Sequence, residues 1–545
     1  MSKIRICALG GLNEKGKNMY IVEVDKDIFI FEAGLKFASD DLLGIDYIIP
    51  SYDYLVENKK RIVGLFITHG HDEQMGAVCD LLSYLPDLKI YASKFTLEII
   101  KQDLPKDKID NLCELEAHKK VNFGKNSIFP IQVSHALPEC YLYVLNTIDG
   151  AIVFTGNYVF DPTMTRAYKT DIGKLAYVGK QGVLCLLSES LYSTKKGFTS
   201  PNHLALDLFT ETLIKTPGRI LLNIFGSQIY RIQELLTAVS KTDRNIVIMG
   251  KSLENIILKS IDMGFIKFDK NRIKSIHQVN DEGIIVIISN EKERPYSSLK
   301  RILRKSDKFV TLKEEDTVVI ASPIYEGIEL TSTKIFDQIA KVGSKLIILS
   351  KKFVSPHASR EDILMMISLL QPTYFFPVNG EYRNQVEAAN AAKMIGYNDK
   401  NILLKLNGMV TTFVNGKLVD KNESIKVDEV FIDGKDNSDI GDLVLKDREL
   451  LADNGIVIVT STIDKKSKKI LSKPLIVTKG FVFVKDNIDL IKEAEDISLK
   501  VLKENVKQHY IDYNKVKIGI REKLGKYFYT QTECKPMIIV VMQEI

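Results

Sequence analysis

The sequence lacks any stretch that approaches the roughly 18 uninterrupted apolar residues of a membrane span. It begins without the apolar segment and small-residue cleavage site of a secretory signal. Its six cysteines include no Cys-x-x-Cys pair, so they offer neither a zinc-finger nor a disulfide framework and fit a reducing compartment. Together these absences predict a soluble cytoplasmic protein with reduced thiols and no membrane partner.

The sequence also lacks a large excess of charge of one sign. The formal net charge is only +5 over 545 residues, so any affinity for nucleic acid must come from local patches. No internal repeat or low-complexity segment is present in the sequence. Because one domain usually takes roughly 100 to 200 residues, this length predicts two or three globular units.

The order of the apolar runs indicates how these units are arranged. Buried strands are expected at residues 28–31, 63–68, 152–155 and 183–187, which is typical of an α/β or layered αββα fold. Between about 202 and 340 the pattern changes to βα units, as in an inserted domain. From about 455 onward, strands, two amphipathic helices (about 487–505 and 513–530) and a final strand at 537–542 indicate a separate α/β module.

Histidines follow two of the predicted strands. His69 and His71 come after a strand that ends at Ile67, and His135 comes after an apolar run at 131–133. Imidazoles at strand ends can meet on one side of a cleft, and imidazole nitrogens suit zinc or manganese. The alternative is that histidines follow buried strands by accident, which is the better interpretation for one histidine alone. Three together favour a metal site.

A whole-chain resemblance appears in the sequence motifs around these histidines. The motifs are residues 9–19 (LGGLNEKGKNM), 32–37 (EAGLKF), 41–46 (DLLGID), 69–71 (HGH), 154–161 (FTGNYVFD), 188–190 (SES), 227–233 (SQIYRIQ), 354–361 (VSPHASRE), 376–383 (FPVNGEYR), 479–484 (KGFVFV) and 535–539 (KPMII). They closely resemble ribonuclease J, a family of metallo-β-lactamase-fold nucleases with an inserted β-CASP domain. The resemblance spans nearly the whole chain.

The resemblance implies an α/β architecture: a metallo-β-lactamase αββα sandwich interrupted by a β-CASP α/β domain, plus a small C-terminal α/β domain. The implied limits are 1–205 for the first part of the metallo-β-lactamase domain, 206–370 for the β-CASP domain and 371–430 for the return segment. A linker at 431–455 and an oligomerisation domain at 456–545 follow.

The departures from the family pattern concern its metal ligands. In active members the first metal motif is His-x-His-x-Asp-His, whereas here Glu73 takes the Asp slot and Gln74 the last His slot. Asn157 replaces the bridging Asp, Asn379 replaces a His, and Glu32 replaces the Asp of a preceding Asp-Ala-Gly motif. Amides are poor zinc ligands, so this half-site is expected to stay empty.

The other half-site keeps its three histidines, which predicts one zinc ion or none. Glu73 is carried over as a weak metal ligand and weak catalytic residue. Hydrolysis in two-metal sites uses both ions to stabilise the attacking and leaving oxygens. Losing one ion is therefore expected to cost several powers of ten in rate, each tenfold being about 1.4 kcal/mol.

The family's other functional positions are partly retained. Glu189 and His357 stand where the family places a catalytic acid and a transition-state-stabilising histidine, and His357 is also expected to touch RNA, whereas Tyr230 replaces a customary histidine. Ser359 is a candidate phosphate ligand, although a helix N-cap is an equally good interpretation. The loop at 289–295 lacks the two glycines that the family has near the RNA 5′ end, which puts 5′-end capture in doubt.

Basic residues cluster near position 300. The predicted RNA ligands are Lys300, Arg301 and Arg304, with Lys292, Arg294, Lys305 and Lys308 nearby. Positions 300, 301, 304 and 305 are expected to share one helical face, which would line an RNA channel or simply be a solvated surface.

Gln74, Tyr230 and Asn379 also resemble the substitutions of the family's second, weakly active paralogue, which associates with its active sibling in mRNA decay and rRNA processing. The resemblance thus implies an RNA-binding near-pseudoenzyme that forms a homodimer, a hetero-oligomer with an active ribonuclease J, or both. The first alternative is an active 5′-to-3′ exoribonuclease and endoribonuclease with a remodelled metal site. A small-molecule hydrolase is the second.

Overall fold

The computed structural model describes residues 2–38, 44–290, 296–322, 324, 328–349, 356–419, 422–433, 442–482, 487–506 and 511–545. The chain divides into two compact units. The first is Met1–Phe37 with Tyr47–Val430, and the second is Ala38–Asp46 with Phe431–Ile545. Among the described residues, no helix combines the length and the apolar character needed to cross a bilayer.

Strands from the N-terminus to residue 432 alternate with helices, as the apolar pattern predicts. The strands are β1 (Lys3–Gly10), β2 (Met19–Val24), β3 (Asp27–Phe31), β4 (Lys36–Phe37), β5 (Tyr47–Pro50), β6 (Ile62–Phe66), β7 (Ile90–Ala92), β8 (Leu112–Glu114), β9 (Val121–Phe123), β10 (Asn126–Gln132), β11 (Tyr141–Thr147), β12 (Gly150–Phe154), β13 (Val183–Glu189), β14 (Ile220–Phe225), β15 (Ile246–Met249), β16 (Ile273–Lys274), β17 (Ile285–Asn290), β18 (Thr317–Ile320), β19 (Lys345–Ile348), β20 (Tyr374–Val378), β21 (Thr411–Val414), β22 (Lys417–Val419) and β23 (Glu429–Ile432). The helices are α1 (Asp53–Glu57), α2 (Asp72–Met75), α3 (Val78–Tyr84), α4 (Lys94–Ile100), α5 (Ile172–Gln181), α6 (Leu206–Lys215), α7 (Ile229–Ser240), α8 (Lys251–Asp262), α9 (Ser297–Leu303), α10 (Glu329–Val342), α11 (Arg360–Leu370) and α12 (Tyr382–Met394).

Two sheets form the layered core of the first unit. One has eight strands in the order β22-β21-β1-β2-β3-β6-β7-β8, and the other has six in the order β20-β13-β12-β11-β10-β9. Aromatic side chains from both sheets meet in one buried cluster, where the rings of Phe31 and Phe154 are 5.4 Å apart. Helices α5, α11 and α12 pack on the outside of the second sheet. The expected αββα sandwich is confirmed.

The inserted βα units form a third sheet, with strand order β16-β15-β17-β14-β18-β19. All of its pairings are parallel. Parallel strands are normally covered on both faces, which accounts for the largely apolar sequences of β14 (ILLNIF) and β17 (IVIISN). Helix α11 packs against α5, α12 and β13 of the sandwich. The residue limits given above for the domains stay predictions.

The helix near position 300 is shorter than expected. Helix α9 ends at Leu303, Arg304 is its C-cap residue, and Lys305 leaves the helix with a positive φ of 57°. The prediction that positions 300, 301, 304 and 305 share one helical face is therefore wrong at Lys305. Lys292 and Arg294 lie outside the described residues.

The second unit contains α13 (Asp442–Asn454), β24 (Ile456–Ile463), β25 (Leu475–Lys479), α14 (Ile488–Val506), α15 (Tyr513–Thr532) and β26 (Met537–Glu544). Its sheet has the order β25-β24-β26, and burial alternates along the strands. One face joins a buried cluster with α14 and α15. The opposite face exposes Leu475, Val477, Ile539 and Val541.

Candidate metal centre

Strand ends bring three histidines together, as the sequence predicts. His69 and His71 follow β6, and His135 follows β10 of the facing sheet. All three side chains are buried, and their potential ligand atoms lie within 4.8 Å of one another. The ring centroids are 4.7 Å apart for two of the pairs and 5.0 Å apart for His71 and His135. Imidazoles at this separation can share one metal ion.

Backbone carbonyls determine which nitrogens of two histidines face that ion. His135 Nδ1 is 2.6 Å from the Pro356 oxygen, and His71 Nε2 is 2.9 Å from the Ser227 oxygen. A carbonyl oxygen only accepts, so the proton of each neutral ring is assigned to the nitrogen that faces it. The lone pairs of His135 Nε2 and His71 Nδ1 then face each other at 3.3 Å.

The separation of these two nitrogens fits a tetrahedral zinc ion. Zinc holds imidazole nitrogens at about 2.0 to 2.1 Å, so two such ligands in tetrahedral geometry are about 3.3 Å apart. Two facing lone pairs repel each other, and a cation between them converts this repulsion into ligation. The observed 3.3 Å between His135 Nε2 and His71 Nδ1 is therefore a zinc-compatible arrangement.

Thr68 orients the third histidine. Its hydroxyl donates to Glu32 Oε1 at 2.5 Å, and its oxygen lies 2.8 Å from His69 Nδ1. With the hydroxyl proton directed at an ionised Glu32, the Thr68 oxygen accepts from His69 Nδ1–H, and Nε2 is then the ligand atom. Such partners fix the orientation of metal-binding histidines. The sequence offers little signal for this role beyond the position of Thr68 beside the histidine pair.

Burial keeps the cluster ready for metal. Desolvation, followed by the neighbouring His69 and His71, lowers the pKa of His135 well below its usual value. A neutral imidazole is the form that binds a metal ion.

Amides occupy the adjoining half-site. Asn379 Nδ2 donates to Asn157 Oδ1 at 2.8 Å, so these two amide side chains bind each other. Gln74 is buried, and its Oε1 has no hydrogen-bond partner among the described residues. A small cavity is lined by these three side chains and by Asn18 and Glu32. The cavity is rich in neutral oxygen and nitrogen atoms and poor in negative charge.

Glu32 does not supply the missing charge. It is completely buried, and desolvation raises its pKa to about 8 in spite of the hydrogen bonds from Thr68. The carboxyl group is therefore mostly neutral near pH 7 in the metal-free protein. Glu73 is also not part of the three-histidine cluster, although it lies in helix α2, directly after the segment that carries His69 and His71. A weak ligand role for Glu73 stays a prediction.

Close packing of the backbone joins the two half-sites. Gly156, directly before Asn157, has a φ of +56°, and a Cβ atom there would lie 2.7 Å from the Thr68 hydroxyl oxygen. Only glycine fits this position without strain. The turn after β12 therefore holds Asn157 against the loop that carries the histidines.

A carboxylate and imidazole pair lies beside the metal cluster. Glu189, at the end of β13, is fully buried and accepts from the backbone N–H groups of Tyr158 at 2.7 Å and Ala358 at 3.1 Å. Its other oxygen is 2.9 Å from His357 Nδ1. The His357 ring is 5.3 Å from that of His135, centroid to centroid. Glu189 thus holds the His357 ring beside the metal cluster.

An aromatic and a basic side chain extend this site. The ring of Tyr192 lies 5.1 Å from that of His357, and Lys195 Nζ is 3.1 Å from the Tyr192 ring centroid. Neither Tyr192 nor Lys195 was singled out from the sequence. The Tyr192 and His357 rings meet edge to face at 68°, and the Lys195 cation lies over the Tyr192 ring.

Ser359 is the N-cap residue of helix α11, which supports the structural alternative. Its backbone N–H donates to Asp362 Oδ2 at 3.1 Å, and its hydroxyl oxygen is 2.6 Å from that of Thr199. The side chain is only 3% exposed. A phosphate-binding role for Ser359 stays a prediction.

Tyr230 occupies the position of a family histidine without joining the cluster. Its backbone N–H donates to the Ala136 oxygen at 2.9 Å, and its ring lies 4.9 Å from that of Tyr168. Desolvation raises the pKa of its phenol to about 12. A neutral phenol at this position packs and does not ligate.

The basic residues near 300 form ordinary surface contacts where they are described. Arg301 Nε lies 3.7 Å from Asp307 Oδ2, and both Arg301 and Arg304 are exposed. Their predicted RNA contacts stay predictions.

Three family models match parts of this chain. Residues 217–339 match the ribonuclease J β-CASP domain, 348–403 a Zn-dependent metallo-hydrolase RNA specificity domain, and 443–545 the ribonuclease J C-terminal domain. Ribonuclease J2 of Bacillus subtilis (strain 168) is 34% identical over 549 residues, covering 99% of both chains. The chain belongs to the ribonuclease J family. Ribonuclease J 2 of Staphylococcus aureus (strain MRSA252) is 33% identical, with 99% of this chain and 98% of that relative covered.

A solved structure supports the fold of this ribonuclease J chain. A protein of unknown function from Enterococcus faecalis V583 superimposes with a TM-score of 0.52 at 14% identity. The superposition covers 75% of this chain and 100% of the other. At this identity the likeness shows the architecture alone.

Proposed function

We propose that this ribonuclease J-family chain binds RNA and assembles with another ribonuclease J in RNA decay and processing, while hydrolysing RNA weakly or not at all. The observation that carries the proposal is the hydrogen bond between Asn379 and Asn157, 2.8 Å long. These residues stand where the family places a histidine and a bridging aspartate. In this hydrogen bond Asn379 Nδ2 is a donor without a lone pair for a metal ion, and Asn157 Oδ1 is already engaged as its acceptor.

Electrostatics supports an empty second site. Two divalent ions bring four positive charges, which the family's ligand set offsets with carboxylates. Here the corresponding cavity holds the amides of Gln74, Asn157 and Asn379, and Glu32 is kept mostly neutral by burial. Desolvating a second divalent ion without compensating negative charge is unfavourable.

One zinc ion fits the remaining histidines, because the ligand nitrogens converge and their other nitrogens are oriented. Such an ion would be held by His69, His71 and His135. When bound, it supplies Lewis-acid polarisation of a phosphate oxygen or acidification of a water molecule. Glu189 keeps His357 oriented, so that a proton can be held at Nε2 beside the cluster. Without the second ion, only one of the reacting oxygens is stabilised.

The decisive experiment restores the three lost ligands together, as Gln74→His, Asn157→Asp and Asn379→His. The wild-type chain and the revertant are assayed on 5′-monophosphorylated RNA with zinc or manganese. We expect the revertant to gain several powers of ten in rate, since it regains an anionic bridge between the ions. RNA affinity, measured by fluorescence anisotropy, should stay within a few-fold of wild type. Comparable cleavage by both proteins would contradict the proposal.

An active metal-dependent exoribonuclease and endoribonuclease is the second candidate. The intact Glu189 and His357 pair beside three oriented histidines favours some hydrolysis with a single ion. Processive decay by the isolated wild-type chain, lost in His357→Ala, would support this candidate.

The second unit supports the assembly part of the proposal. The open face of its sheet carries Leu475, Val477, Ile539 and Val541, which are 41% to 57% exposed. Ile458 of the central strand pairs with both Val477 and Ile539, so the apolar residues form one patch. Exposed contiguous apolar patches mark interaction sites. We assign this patch to another ribonuclease J chain, either a second copy or an active paralogue.

A charged substitution in the patch tests this assignment. Val477→Asp is expected to shift the protein from an oligomer to a monomer in analytical ultracentrifugation, alone or mixed with an active ribonuclease J. The control is Lys500→Asp on helix α14, which alters charge on the opposite side of the sheet. Unchanged association of Val477→Asp would remove the patch from the proposal and leave the catalytic part intact.

A further inference from the structure

The three histidines are oriented by three separate segments of the chain. His69 is held by Thr68 of the sandwich, His71 by the oxygen of Ser227, and His135 by the oxygen of Pro356. Ser227 lies in the turn between β14 and α7 of the inserted domain, and Pro356 lies in the segment that returns from it. The carbonyl that orients His71 thus belongs to the inserted domain, and the carbonyl that orients His135 belongs to the segment that connects this domain to helix α11.

Further contacts hold the inserted domain against the sandwich nearby. The Tyr230 N–H donates to the oxygen of Ala136, the residue next to His135, at 2.9 Å. The rings of Phe95 and Phe265 meet edge to face at 5.5 Å. Lys259 Nζ on helix α8 lies 3.3 Å from Glu98 Oε2 on helix α4. The orientation of the ligands thus depends on the packing of the inserted domain against the sandwich.

The packing of the inserted domain and the binding of a metal ion are linked through the imidazole protons. While the Ser227 and Pro356 oxygens accept from His71 and His135, the lone pairs of these histidines face each other at 3.3 Å. Without a cation, repulsion between these two lone pairs disfavours the packed arrangement. With a cation it is the arrangement that ligates. An ion that binds one arrangement more tightly shifts the equilibrium towards it, and the coupling is reciprocal.

We infer that the single ion of this chain acts as a clasp that fastens the inserted β-CASP domain to the metallo-β-lactamase sandwich. This inference rests on the proposed three-histidine metal site and adds a conformational role to it. The clasp needs three oriented imidazoles and no second ion. It thereby accounts for a chain that keeps one half-site complete while amides fill the other.

Hydrogen exchange of the full-length protein tests the clasp. Metal-stripped protein is compared with protein that carries one zinc ion per chain, with zinc content measured by mass spectrometry. We expect slower exchange at 226–231 of the inserted domain and at 357–359 directly before helix α11, in addition to the segments at 67–74 and 134–137. The control is His69→Ala, which removes a ligand that is oriented within the sandwich. It should abolish the zinc-dependent protection in both outer segments.

The possible failures are distinguishable. Zinc bound at one ion per chain with protection confined to the two sandwich loops overturns the clasp and leaves the metal site standing. Failure to bind zinc overturns the metal site and the clasp together.

Reciprocity supplies a second test that leaves the metal ligands unchanged. Lys259→Glu replaces an ion pair with Glu98 by charge repulsion and should weaken the packing of the inserted domain against the sandwich. Zinc affinity is therefore expected to fall about twofold to fivefold, as for the loss of one partly exposed ion pair. The control, Lys251→Glu, makes the same change of charge at the start of the same helix. Equal affinities of the two variants for zinc, measured against a chromophoric chelator, would overturn the coupling.

Discussion

The two halves of the metal centre differ although the short segment 69–74 contributes side chains to both. His69 and His71 are buried, oriented by oxygen atoms and directed at a third histidine. Gln74, a few residues further on, is equally buried, yet its Oε1 faces a small cavity beside an amide pair. Burial alone therefore does not make a metal site. What matters is whether the side chains direct lone pairs at a common point, as the histidines do, or form hydrogen bonds with each other, as the two asparagine amides do.

The largest expected effect comes from removing one residue of each half in turn. His69→Ala should abolish measurable zinc binding, since it leaves only two imidazole ligands. Gln74→Ala should leave zinc affinity within about twofold, because the amide is a poor ligand. Isothermal titration with zinc measures both affinities. Similar losses in the two variants would contradict the division of the centre into a working and a non-working half.

A pH titration of metal-free protein examines the amide half alone. The pKa of Glu32 is raised from 4.5 to about 8 in the folded state. The folded protein thus holds this proton more tightly than the unfolded chain, so the contribution to stability is present below about pH 4.5 and is lost as the pH rises towards 8. Between pH 5 and 7 the free energy of unfolding of wild type should fall by about 2 to 3 kcal/mol relative to Glu32→Gln. Urea denaturation in the presence of EDTA measures this difference, and parallel pH profiles would show that Glu32 is ionised in the folded state.

Thr68 connects the two halves, and its removal is expected to lower zinc affinity less than the removal of a ligand. Thr68→Val keeps the shape but loses the hydroxyl between Glu32 and His69, so zinc affinity should fall roughly 10- to 100-fold, as is usual for the partners of metal ligands. Thr68→Ser retains the hydroxyl and should bind zinc nearly as wild type does. If both variants bind zinc equally, the orientation of His69 does not depend on this hydroxyl.

Much of the fold could be predicted because it follows from local periodicity. The strands expected at 28–31, 152–155 and 183–187 lie within or overlap β3, β12 and β13, and the two C-terminal helices begin and end within two residues of the expected limits. The end of helix α9 at Leu303 was missed, because polar residues at a helix terminus carry no apolar period.

The sequence by itself determined which side chains are available: three histidines after buried strands, and the amides Gln74, Asn157 and Asn379 at positions where the resemblance implies acidic or imidazole ligands. Only the tertiary structure decided how they are used. The Ser227 and Pro356 oxygens, the Thr68 hydroxyl and the bond between Asn157 and Asn379 join residues distant in the chain. The physical reason is that apolar periodicity places a backbone element, whereas the proton on an imidazole nitrogen is placed by whichever acceptor the folded chain brings within hydrogen-bonding distance.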